Sequence, residues 1–168
     1  MSEKSMSRNM RRLAVSLCLA GGFAAGAFAE TKTWSGAVNG TWDFSTLNWL
    51  DPAGNASKLG GSDSVLFTDA GAQKTVTLAA SPTTIGGSIT FDNTQAYTLN
   101  GGLTGNGTTT TTAGLCGTGT FTKNGSGKLT ISGENANLGA SFSSQGGTLA
   151  LDGLAALGAR TIASYGGE

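Results

Sequence analysis

Residues 117–151 read GTGTFTKNGSGKLTISGENANLGASFSSQGGTLAL. Phe121, then Leu129 and Ile131, then Phe142, then Leu149 and Leu151 alternate there with Thr, Ser or Ala, the period of a strand with one buried face. The runs are too short for helices, and Asn124-Gly125, Gly127, Gly133 and Gly146-Gly147 separate them, supplying residues that tolerate the positive φ angles of tight turns. Such thin strands cannot stand alone. Leu129 and Leu149 lie twenty residues apart, a length suited to one coil of a β-solenoid in which equivalent strands stack in parallel.

The run GTGTFTKNGSGKLTISGEN followed by GGTLAL resembles the passenger-associated repeat of bacterial autotransporters over about thirty-five residues. Leu157-Gly158 with Thr161-Ile162-Ala163 looks like the start of a further coil. The resemblance implies an all-β, right-handed parallel β-helix used for surface display or adhesion. It also implies an outer-membrane translocator as partner. Residues 152–168 do not read as the alternating, aromatic-ended strands of an outer-membrane barrel, so that partner is expected from outside this sequence.

Upstream, Lys4, Arg8, Arg11 and Arg12 precede an apolar run from Leu13 to Phe28, which ends in Ala27-Phe28-Ala29. This is the pattern of a cleaved signal peptide over residues 1–29, and the run is short for a membrane span, which needs about twenty residues. Cys18 follows Leu17 where a lipoprotein anchor would want a small residue, so it reads as part of the apolar segment. The general secretion route is expected, leading to the medium or cell surface, or to the periplasm if no translocator is present.

The mature chain then starts at Glu30 and carries nine acidic and six basic residues, a net charge of about −3. Its charges are spread singly, which provides no basic stripe for nucleic acid. Gly, Thr, Ser, Ala and Asn dominate. A narrow apolar column inside stacked rungs suits that composition better than a thick globular core.

Residues 30–69 form a second block, with Trp34, Trp42 and Trp49 inside TWSGAVNGTWD and NWLD. They read as an N-terminal cap covering the open end of a solenoid whose rungs occupy 70–168. The alternative is a small secreted carbohydrate-binding module in which Trp34, Trp42 and Trp49 stack on sugar rings. The block also resembles the N-terminal segment of autotransporter-like and other large secreted repeat proteins of Gram-negative bacteria. Between the blocks, strands are expected at Ser64–Phe67, Lys74–Leu78, Ser88–Phe91, Tyr97–Leu99 and, without an apolar partner, Thr108–Thr112.

Signals for chemistry are sparse. The sequence has no histidine, so Cys116 lacks the usual base for a nucleophile and reads as a small buried hydrophobe. Gly125-Ser-Gly-Lys128 lacks the glycine and the Ser/Thr that a phosphate loop requires and reads as a hairpin turn. Gly60-Gly61-Ser62-Asp63 occurs once, without the repeat of a calcium β-roll, and the Asn-x-Ser/Thr matches read as turns. Asp43, Asp51, Asp63, Asp69 and Asp92 are scattered with no paired spacing for acid/base work. The expectation is a non-enzymatic chain without catalytic residues, metal or cofactor. Its expected partners are a host or cell-surface glycan or protein, with self-association through the C-terminal rung.

Overall fold

Period-two alternation sends Val65 and Phe67 to one side of Ser64–Phe67, and both are buried while Ser64 and Leu66 are not. The same parity recurs along the chain. In a computed structural model, residues 29–79, 83–101, 115–117, 119–132, 141–152 and 162–164 are described. The expected signal peptide up to Phe28 and the strand expected at Thr108–Thr112 lie outside those residues. Every regular element among the described residues is a β-strand. In chain order these are β1 (Thr31–Trp34), β2 (Thr41–Trp42), β3 (Trp49–Leu50), β4 (Ala56–Ser57), β5 (Ser64–Phe67), β6 (Thr75–Leu78), β7 (Thr83–Ile85) and β8 (Ile89–Phe91). They continue with β9 (Tyr97–Asn100), β10 (Leu115–Gly117), β11 (Thr120–Lys123), β12 (Lys128–Ser132), β13 (Ser141–Ser144), β14 (Thr148–Asp152) and β15 (Ile162–Ser164).

The strands form three sheets, ordered β15-β13-β11-β8-β5-β1-β3-β4, β14-β12-β9-β6-β2, and β10-β7. From β5 onward, strands of the first sheet alternate along the chain with strands of the second, so each such pair contributes one layer. All pairings are parallel except those of β3 with β1 and with β4. Parallel neighbours in a sheet must be joined by crossovers. Here the crossover from one strand to its neighbour runs through the other sheet.

Register locks like onto like. Leu129 faces Leu149 and Ile131 faces Leu151, as their twenty-residue spacing predicts. Phe121 faces Phe142, which faces Ile162. A slip by one residue would turn every inward side chain outward, and the inward set is largely apolar, with Lys123 an exception: Val65, Phe67, Val76, Leu78, Ile89, Phe91, Tyr97, Leu99, Phe121, Leu129, Ile131 and Phe142 are all buried. Phe67 and Phe91 stack at 4.2 Å between ring centroids with planes 3° apart. Phe121 and Phe142 stack at 4.6 Å, giving an aromatic ladder up the interior.

One expectation from the sequence is corrected by the pairing. Gly125-Ser-Gly-Lys128 is not a hairpin turn. Its flanking strands β11 and β12 belong to different sheets and pair with strands of adjoining layers, so the segment is a corner. Gly125 is needed there for two reasons: its φ is +48°, and a Cβ would overlap the carbonyl of Asn93 in the corner beneath. The sequence places a boundary between a cap at 30–69 and rungs from 70. The parallel ladder runs unbroken from β1 through β5 to β8, so strand pairing shows no seam at that point. What lies outside the parallel stack is the short antiparallel pair β3 and β4, beyond β1.

Candidate functional site

Trp34, Trp42 and Trp49 come together where the first sheet leaves its parallel pattern. Trp34 on β1 faces Trp49 on β3 across the antiparallel pair. Their rings meet edge-to-face at 5.0 Å, and Trp42 meets Trp49 edge-to-face at 5.3 Å, the geometry that aromatic quadrupoles favour. Phe67 touches all three. Each indole is 0 % exposed. A sugar-stacking platform needs an open ring face, and this arrangement offers none. The Trp34 indole N–H donates to the carbonyl of Gln73 at 2.9 Å, whereas those of Trp42 and Trp49 meet no acceptor among the described residues.

Asn48, also fully buried, organises the loop around these rings. Its side-chain oxygen accepts from the N–H groups of Val38 and Asn39, and its amide donates to Asn39 Oδ1 and to the carbonyl of Thr41. Its own carbonyl accepts from Ser35 and Gly36. One side chain thereby ties 35–41 to β3, satisfying polar groups that burial would otherwise make costly.

A second constellation sits at the corners. Lys123 is inward on β11 and 0 % exposed. Its Nζ donates to the carbonyls of Asn124 and Gly125, the latter at 2.7 Å, and to Gly146 in the next layer at 3.4 Å. Burial pushes its pKa down, opposed by a smaller pull from the Asp92 carboxylate. Three backbone carbonyls take the place of a counter-ion, so the ammonium works as a clamp between layers. No open face lets a substrate reach it. Two layers earlier, Lys74 donates to the carbonyls of Asp69 and Gly71 and lies 5.1 Å from the Tyr97 ring centroid, within cation–π range. The Tyr97 hydroxyl donates to the carbonyl of Thr68, and burial with the nearby Asp69 charge pushes its pKa up to about 12.

Among the described residues, each of the dispersed carboxylates except Asp92 accepts hydrogen bonds. Asp43 accepts from Ser45 and Thr46, and Asp51 from Ala53 and Asn55. Asp69 reaches across one layer to the N–H groups of Thr94 and Gln95 and to the Thr94 hydroxyl, bonds that hold its carboxyl below the usual range. Asp63, from the Gly60-Gly61-Ser62-Asp63 segment, accepts from the N–H groups of Glu30 and Gly60. Among the described residues no three His, Cys, Asp or Glu side chains gather as a metal site. Cys116 lies on β10 by its backbone; its side chain is outside the described set.

No protein-family model, curated protein or solved structure matches this chain.

Sequence parity alone could have found Lys123, two residues after the inward Phe121. Asn48 and Asp63 carried no such signal, because their partners are set by a loop closure and by a strand 33 residues away.

Proposed function

We propose that this chain is an exported, non-enzymatic β-solenoid segment, a right-handed parallel β-helix serving surface display or adhesion in the manner of the N-terminal part of an autotransporter passenger. One observation carries the reading. Ile85 faces Gly117, Ile89 faces Phe121, and Leu99 faces Ile131, the same step of thirty-two residues in all three sheets. A single displacement along one axis produces that pattern, as expected when a three-sided coil repeats.

Expression of the full chain in a Gram-negative host, followed by fractionation and circular dichroism of the exported protein, tests this reading. Leader removal with a β-rich spectrum and one cooperative transition is expected. Retention in the cytoplasm as the full-length chain would overturn it.

A further inference from the structure

Asp63 is only 6 % exposed, and one of the donors to its carboxylate is a backbone nitrogen with an unusual position in the sequence. Glu30 N lies 3.0 Å from Asp63 Oδ1, while Asp63 Oδ2 accepts from the N–H of Gly60 at 2.8 Å. The Glu30 carbonyl accepts from Ser64 N–H at 2.8 Å, so Glu30 is held by the same ladder that pairs Thr31 with Ser64. Ala29 and Glu30 are both exposed, and the small-x-small sequence Ala27-Phe28-Ala29 ends immediately before Glu30. A buried carboxylate is thus aimed at the atom that leader removal would turn into the chain's α-amino group.

We infer that Asp63 is a receiving site for the new N-terminus, and that cleavage between Ala29 and Glu30 completes the fold by placing an α-ammonium against it. This rests on the export reading. Hydrolysis by a leader peptidase gives the hydroxyl of water to the Ala29 carbonyl and a proton to Glu30 N, which takes up a further proton from solvent at neutral pH. Before cleavage the nitrogen offers Asp63 one neutral amide N–H. Afterwards it offers a charged group with three donors, and charge-assisted hydrogen bonds are roughly twice as strong as neutral ones.

The ionisable groups around this nitrogen are few. On its own strand, the Glu30 carboxylate pairs with Lys32 Nζ at 2.6 Å, so neither is left to compete. Asp51 feels Lys32, and Lys58 is exposed on the segment that carries Asp63. The layer above brings Gly86, Gly87 and Ser88, none of them charged. Among the described residues, Asp63 is the carboxylate bonded to Glu30 N.

The sign of the pH dependence follows. An unperturbed α-amino group titrates near 7.7–8.0, and a carboxylate partner raises that value in the folded chain. The added stability is fully present below the unfolded value and is lost as pH rises through the folded one.

The experiment compares the chain 30–168, released from a fusion by a protease that leaves Glu30 first, with a chain that retains Ala27-Phe28-Ala29, each with and without Asp63→Asn. Urea unfolding is read from pH 6 to pH 10. The processed chain is expected to have a folded-to-unfolded ratio roughly tenfold above the extended one at pH 7, for a rise of about one unit in the amine's pKa. That advantage should vanish in Asp63→Asn and fade at alkaline pH. Equal stability of the two chains, or an advantage that survives Asp63→Asn, would overturn the inference. N-terminal sequencing of protein exported by a Gram-negative host separates the two levels. A first residue other than Glu30 overturns the receiving site, while failure to leave the cytoplasm overturns the export reading beneath it.

Discussion

Lys123 stands in register with Phe91, so the inward column that begins with the stacked rings of Phe67 and Phe91 passes into a buried ammonium. Beyond it the column continues to Ser144. The apolar interior therefore changes character at β11, and the corner carbonyls of two layers close over the cation.

Replacing that cation removes donors from three carbonyls. Lys123→Met keeps the bulk and should destabilise the chain by about 1–3 kcal/mol at neutral pH, the usual penalty for stranded buried acceptors. The depressed pKa also fixes a sign. Between the folded value and about 10.4 the unfolded chain binds more protons, so this group makes stability rise with pH. Urea unfolding of wild type and variant across the alkaline range should show that rise in the wild type and its loss in the variant.

Tyr97 acts in the opposite direction. Its folded pKa near 12 exceeds the unfolded value of about 10, so its contribution is present below pH 10 and is lost as pH rises through about 12. The phenolate absorbance removed by Tyr97→Phe should titrate near 12 in the native protein. A midpoint near 10 would mean that the hydroxyl is not held on Thr68.

Asp69 ties two corners together, and its carboxyl is held low first by the Gln95 N–H and then by the Thr94 hydroxyl. Stability from this group is present above its unfolded value of about 3.9 and disappears as pH falls through the folded one. Asp69→Ala should lower the urea midpoint at pH 7 and flatten the acid limb of the stability curve.

Trp42→Ala should cost about 3–5 kcal/mol, as for other large aromatic truncations in packed cores. Trp34→Phe should cost more than Trp42→Phe, because Trp34 donates its indole N–H to Gln73 and no described acceptor meets that of Trp42. Equilibrium unfolding gives both comparisons. A glycan-array signal that depends on Trp42, with stability unchanged, would instead restore the sugar-binding module.

Self-association is expected through the last strands. Leu149 and Leu151 take inward positions opposite Leu129 and Ile131, yet Leu151 is 41 % exposed, and no described strand pairs with the far side of β14. An unpaired edge with apolar neighbours is a template for another chain's strand. Light scattering of mature protein should show mass rising with concentration, and Leu151→Lys should reduce it. A constant monomer mass would contradict this.

Much of the architecture was legible locally. Thr-Val-Thr-Leu and Tyr-Thr-Leu-Asn declare their buried faces because a strand's side chains alternate, and Asn124-Gly125 declares a turn because few residues accept a positive φ. The twenty-residue interval from Leu129 to Leu149 announced their pairing. Short-range pattern could not say whether Gly125-Ser-Gly-Lys128 folds a strand back on its neighbour or carries it into another sheet, since the two outcomes share one turn composition. The partners of Lys123, Asn48 and Asp63 were equally hidden, because layer stacking and loop closure bring them together from distant points of the chain. Burial of all three indoles was likewise a tertiary decision: Phe67, one layer up, and the antiparallel return of β3 cover faces that the sequence alone left open to either core or ligand.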